Sequence, residues 1–176
     1  MSYVAGLGYP VPAVYEVTGA DIVMERIEGP TMVEAMMSGV LAPEAGVRML
    51  ADLHTALHSL PARMSTNPTD RVIHLDLHPE NVIMSARGPI VIDWNTADDG
   101  PPDLDVALTA LILAEVGVDP ANDLAELAAA AVKGFLSHTG APAPEMIDRA
   151  LALRSANPSL SPEEKARLSS AVTLLR

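Results

Sequence analysis

Apolar and polar positions along the chain change period several times, and the changes mark its elements. From Pro43 to Leu60 the apolar residues Val47, Leu50, Leu53, Leu57 and Leu60 recur at helical spacing, which predicts a helix with one buried stripe. Thr31-Met32-Val33-Glu34 has the Thr-x-x-Glu form of a capping box, so a shorter helix is expected to start there, with Gly39 and Pro43 marking the break. Leu104–Val116 and Asp123–Leu136 are rich in Ala and Leu and predict buried helices, and another is expected over Pro144–Ser155. Ser161-Pro162-Glu163-Glu164 signals the last, as an N-cap followed by Pro at the first helical position. Strand-like runs are few. Ala13–Val17 and Ile22–Ile27 flank Thr18-Gly19-Ala20-Asp21, while Val82-Ile83-Met84 and Ile90-Val91-Ile92 flank Ser85-Ala86-Arg87-Gly88, and each pair predicts a hairpin. Gly6–Pro12 is turn-rich and Pro61–Asp70 is a loop. The fold class expected is α+β, mostly α.

Val72–Ala107 stands out because polar residues are set tightly into apolar sequence. His74, Asp76, His78 and Asn81 fall within eight positions, and Asp93 follows the second strand of the hairpin. That hairpin would bring the Asn81 end of one strand beside the Asp93 end of the other. An amide oxygen and a carboxylate are hard ligands suited to Mg²⁺. A further carboxylate, Asp76, suits the removal of a proton from a hydroxyl nucleophile. A base and two Mg²⁺ ligands are the parts a kinase-type phosphoryl transfer needs, since its catalysis is mostly positioning and charge neutralisation.

The spelling carries the same message. His74-Leu75-Asp76-Leu77-x-x-x-Asn81 differs from the kinase catalytic loop H-R-D-L-x-x-x-N only at the Arg position. Asp93-Trp94-Asn95 stands where protein kinases carry D-F-G, and Gly100-Pro101-Pro102-Asp103-Leu104-Asp105-Val106-Ala107 follows. These motifs resemble those of the aminoglycoside phosphotransferase and choline kinase-like family, which run roughly H-G-D-x-H-x-x-N, I-D-W and G-x-P-x-x-D-[LV]-A. The resemblance implies the C-terminal lobe of a protein kinase-like fold and an ATP- and Mg²⁺-dependent phosphotransferase acting on a hydroxyl of a small molecule. It implies Asp76 as the base with His78 nearer the substrate, Asn81 and Asp93 as Mg²⁺ ligands, and His74 and Asp105 as supports of the catalytic loop. Val23–Gly29 resembles the strand leading into a kinase hinge, with Met24 behind the adenine and the backbone of Glu25 and Ile27 on its edge. Leu75, where the family usually has Gly, is expected to restrict the loop.

The resemblance divides the chain into 1–29, a remnant of an N-lobe hairpin with the hinge, and 30–176, a helical lobe carrying the catalytic stretch 72–107. Before Ala13 there is no Gly-rich loop and no strand lysine to clamp phosphates, so the N-lobe is largely absent from these residues, and a longer natural protein is expected. The same gap supports a rival of another class, a non-catalytic kinase-like binding module. A zinc-dependent hydrolase is a further alternative: His74, Asp76 and His78 alternate, so on a strand they would share a face. Zinc accounts for the two histidines but leaves Asn81 and the Gly100–Ala107 motif unexplained. His54 and His58, four apart on the predicted second helix, are expected to be a flanking polar pair rather than a metal site.

Composition narrows the partners. The 176 residues carry a net charge of −12, which disfavours nucleic acid and anionic membranes and suits a cationic small molecule. With 49% hydrophobic but only 3% aromatic residues, the core must be built from aliphatic side chains. The absence of cysteine removes disulfides and thiolate chemistry. No signal peptide or bilayer-length apolar run is evident, so a cytoplasmic location is expected. The edges of the N-terminal hairpin are a candidate route to self-association.

Overall fold

The computed structural model describes residues 1–176. At its centre lies α4 (Pro102–Gly117), in which every residue from Leu104 to Glu115 is buried. A helix that is apolar on all sides must be covered on all sides. Around α4 pack α5 (Ala125–Thr139), α6 (Pro144–Ala156) and α7 (Pro162–Thr173). A fourth helix, α3 (Pro43–His58), lies against α5 and turns Val47, Leu50, Leu53 and Leu57 inward, the stripe read from the sequence. Leu50, Leu57, Leu111, Val132 and Phe135 belong to one continuous core.

The helix ends follow their caps. Thr31 accepts from the Glu34 N–H while Glu34 accepts from the Thr31 N–H, starting α2 (Met32–Met37), and Ser161 and Glu164 repeat this at α7. The start of α5 lies two residues later than the pattern predicts. Asn122 Oδ1 accepts the Leu124 N–H at 2.9 Å, a local turn that competes with the helix.

Three two-stranded antiparallel sheets complete the chain. β1 (Val14–Thr18) and β2 (Asp21–Met24) form the N-terminal hairpin, whose Tyr15, Val17, Ile22 and Val23 are exposed. β4 (Val82–Ser85) and β5 (Gly88–Val91) form the predicted second hairpin, in the register Val82–Val91 through Ser85–Gly88. The pattern gave no sign of the third pair, β3 (Arg71–Ile73) with β6 (Asp98–Gly100), which frames the candidate catalytic stretch.

The N-terminal segment also holds a short helix that sequence did not announce, α1 (Ser2–Gly6). Val4, Tyr9 and Val11 join the helical core, Tyr9 donates its hydroxyl to Leu53 O at 3.1 Å, and Pro10 O accepts the Val91 N–H at 2.9 Å. Beyond β2, Gly29 (φ +146°) passes so close to β4 that a Cβ there would collide with Met84 O. Pro30 O then accepts the Met84 N–H at 2.8 Å, and Thr31 pairs with Ile83. No helix is long and apolar enough to cross a membrane.

Candidate active site

The loop after β3 is held from below by one carboxylate. Asp105, in the first turn of α4 and wholly buried, accepts the Leu75 N–H at Oδ1 (2.7 Å) and the His74 N–H at Oδ2 (3.0 Å). His58 Nε2 lies 2.9 Å from the same Oδ2. Burial pushes this carboxyl up, but the His58 hydrogen bond, the charges of His54 and His58 and the His74 amide bring it down to about 2. It is therefore ionised, and these contacts compensate a charge that would otherwise be costly inside the core.

His74 is fully buried beneath the loop. Its Nε2–H donates to Ile92 O at 3.0 Å, its carbonyl accepts the Thr96 hydroxyl at 2.9 Å, and its ring meets Trp94 edge-on at 4.7 Å. Burial, only partly opposed by Asp105 and Ile92 O, lowers its pKa, so the ring is neutral. Nδ1 has no partner.

Asp76, Asn81 and His78 gather above this support. Asn81 Nδ2 donates to Asp76 O at 2.9 Å and lies 3.2 Å from both Asp76 Oδ2 and His78 Nε2. A carbonyl only accepts, so the amide nitrogen must face Asp76, which leaves Asn81 Oδ1 without a protein partner. His78 Nε2 is 3.7 Å from Asp76 Oδ1. Burial raises the Asp76 carboxyl, but His78, then Arg154 and His74, hold it below the usual carboxylate range. The hairpin brings the second acid to this end: Ile92 donates its N–H to Asn81 O at 3.0 Å, and Asp93 comes next, exposed, at φ 59°, with no protein partner. An unpartnered amide oxygen and an unpartnered carboxylate on neighbouring strand ends fit a hard divalent cation.

Two cavities flank Asp76. One of about 380 Å³ is lined by Leu75, Asp76, Thr96, Leu108, Leu153 and Arg154, with Ala156, Asn157 and Pro158. The other, of about 230 Å³, is bordered by His78, Glu80, Glu115, Asp119, Arg154, Glu164 and Arg167.

The residues expected at a hinge, Met24, Glu25 and Ile27, lie apart, at the end of the N-terminal hairpin. Met24 ends β2 and is exposed. Glu25 donates its N–H to Ala13 O at 2.7 Å, and its carboxylate takes the Ala13 N–H and Arg87 Nη2, the latter at 2.6 Å. The Glu25 carbonyl and the Ile27 N–H have no backbone partner. Since Arg87 occupies the β4–β5 turn, one ion pair joins the two hairpins.

The arrangement departs from two expectations. His74, Asp76 and His78 do not share a strand face, because β3 ends at Ile73 and Leu75 adopts φ 66°. His74 turns into the core, and nowhere do three His, Cys, Asp or Glu side chains gather around a metal position, which removes the zinc arrangement. His54 and His58 are not a flanking pair either. His54 is buried, with Nδ1 2.9 Å from Leu50 O and Nε2 2.9 Å from Thr109 Oγ1, while His58 contacts Asp105. Thr109 Oγ1 is also 2.8 Å from Leu77 O, tying α3 and α4 to the loop. The signal in the sequence was two histidines four apart on the apolar side of a predicted helix, a place where imidazoles need buried partners.

Residues 59–145 match the family model APH, the phosphotransferase enzyme family. The match takes in the catalytic stretch, both Mg²⁺-ligand candidates and the Asp105 helix. Among solved structures, the fold is similar to that of ADP-bound aminoglycoside phosphotransferase APH(2'')-Ib, at 16% identity and TM-score 0.57, covering 98% of this chain and 79% of that one. It is also similar to amicoumacin kinase hAmiN in complex with AMP-PNP, Ca2+ and Ami, at 16% identity and TM-score 0.52, covering 99% and 74%. At that identity the likeness establishes the fold, a kinase-like lobe. No curated protein sequence matches the chain.

Proposed function

We propose that this phosphotransferase-family chain moves the γ-phosphoryl group of ATP to a hydroxyl of a small molecule. The observation that carries the reading is the Asn81 amide, tied by Nδ2 to Asp76 with Oδ1 free, on the strand end next to Asp93. Asp76 Oδ1 or Oδ2 accepts the acceptor's hydroxyl proton as its oxygen attacks. Asn81 Oδ1 and the Asp93 carboxylate are the groups that would hold Mg²⁺, which when bound neutralises phosphate charge. The Glu25 carbonyl and Ile27 N–H offer an acceptor and a donor for an adenine edge beside Met24. Asp105 and His74 position the loop, and His78 keeps Asp76 ionised from the substrate side. By this reading the hinge and its hairpin, 1–29, serve the nucleotide, and 30–176 holds the chemistry.

Titration calorimetry with Mg-AMP-PNP tests the first half: binding that vanishes on chelation of Mg²⁺ is expected. Asp76→Asn should keep that binding while lowering phosphoryl transfer by about 10²–10⁴-fold. Equal loss of binding and turnover would remove Asp76 from the role of base. A non-catalytic binding module is the second reading. Absence of Mg-nucleotide binding would decide for it.

A further inference from the structure

The acceptor's chemistry is written in the charges around Asp76. Of the residues lining the cavity that contains Asp76, Arg154 is the only other one with a charged side chain. Arg154, on α6, donates Nε–H to Glu115 Oε1 at 2.8 Å and Nη2–H to Glu115 Oε2 at 3.2 Å. Those two bonds use the side edge of the guanidinium. Its end edge, formed by Nη1 and the second Nη2 proton, has no protein acceptor. A free guanidinium edge presents two parallel N–H groups, the geometry that matches a carboxylate in a bidentate pair.

The acids nearby offer an amine little. Glu115 is engaged by Arg154, Asp119 by Arg167 at 3.0 Å, and Glu164 by the Ser161 N–H at 2.7 Å. Glu80 remains, largely exposed and 3.9 Å from His78. In the cavity that holds Asp76, the only carboxylate among the lining residues is Asp76 itself, facing the single cation Arg154.

We infer that the acceptor is a small alcohol bearing a carboxylate, its hydroxyl at Asp76 and its carboxylate on the end edge of Arg154. This deepens the phosphotransferase reading and rests on it, yet it is tested without nucleotide. Calorimetry of the chain alone is run with glycerate, threonate and gluconate, and with ethanolamine and glucosamine as cationic comparisons. Binding of at least one hydroxy acid is expected, and Arg154→Lys should weaken it about 10–100-fold, since an ammonium cannot reproduce the bidentate pair. The double variant Arg154→Met/Glu115→Met removes the ion pair without leaving a half-buried carboxylate alone, and should abolish hydroxy-acid binding while the protein still melts cooperatively. Binding of the amino compounds but of no hydroxy acid would overturn the inference. So would failure of all five to bind, or Arg154→Lys weakening Mg-AMP-PNP while sparing the hydroxy acids. Mg-AMP-PNP binding is measured separately, so an error about the acceptor is distinguished from an error about the kinase.

Discussion

Leu75 donates its backbone N–H to Asp105 Oδ1 at 2.7 Å while its own φ stands at 66°. A buried carboxylate thus holds a leucine in the left-handed region, at a position where the family usually has Gly. Such a conformation costs a non-glycine residue about 1–2 kcal/mol, and a β-branched side chain tolerates it least. Leu75→Ile should therefore destabilise by about 1 kcal/mol or more, whereas in Leu75→Gly the relief of strain offsets lost burial and added chain entropy to within about 0.5 kcal/mol. Urea unfolding of the two variants checks the order.

Asp105 serves three donors, and an amide in its place retains only one acceptor oxygen. Asp105→Asn should cost about 2–4 kcal/mol at pH 7. The pH dependence has a definite sign. With a folded pKa of about 2, below its ordinary value of 3.8, the carboxylate contributes stability that is complete above pH 3.8 and lost as pH falls through 2. Denaturant midpoints measured from pH 5 to pH 2 should fall more steeply for the wild type than for Asp105→Asn.

His54 acts in a higher window. Burial, opposed by Asp105 and Leu50 O, pushes its pKa down from 6.5 to about 4, so the folded chain favours the neutral ring. The unfolded chain takes up the extra proton as pH falls below 6.5, and stability from the neutral ring drains away toward pH 4, by up to about 1.4 kcal/mol per pH unit. His54→Gln should flatten that slope between pH 6.5 and pH 4.5. Thr109→Val, which leaves Leu77 O and His54 Nε2 without the hydroxyl, should destabilise by about 1–3 kcal/mol at pH 7.

Asp93 and Asn81 should separate from Asp76 in kind. Asp93→Asn is expected to weaken Mg²⁺-dependent nucleotide binding by about a hundredfold, with thermal stability nearly unchanged because Asp93 has no protein partner. Asn81→Ala should weaken it similarly, but should also release Asp76 O from its hydrogen bond and lower the melting temperature. Calorimetry and thermal denaturation on the same preparations distinguish the two.

The grouping of Asp76, Asn81 and Asp93 was legible because its order is local. Asn81 and Asp93 flank one strand–turn–strand stretch, Asp76 precedes Asn81 by five positions, and the two-residue turn at Ala86-Arg87 fixes which strand ends meet. Thr31 and Ser161 were equally legible, since a cap needs only three following residues. What the sequence hid is what depends on distant partners. His54 meets Thr109 across 55 positions and His58 meets Asp105 across 47, so nothing beside either histidine names its contact. The pair β3–β6 is three residues deep on each side, too short for any alternation to register. The free edge of Arg154 depends on Glu115, 39 positions away on another helix.

Gly29 gives the molecule a seam with no slack. Because its Cα rides against Met84 O, any side chain there must lift residues 29–31 away from the ribbon that ends in Asn81 and Asp93. The chain leaving β2 and the ribbon that runs between Asn81 and Asp93 therefore meet backbone to backbone, with no room for a side chain in between.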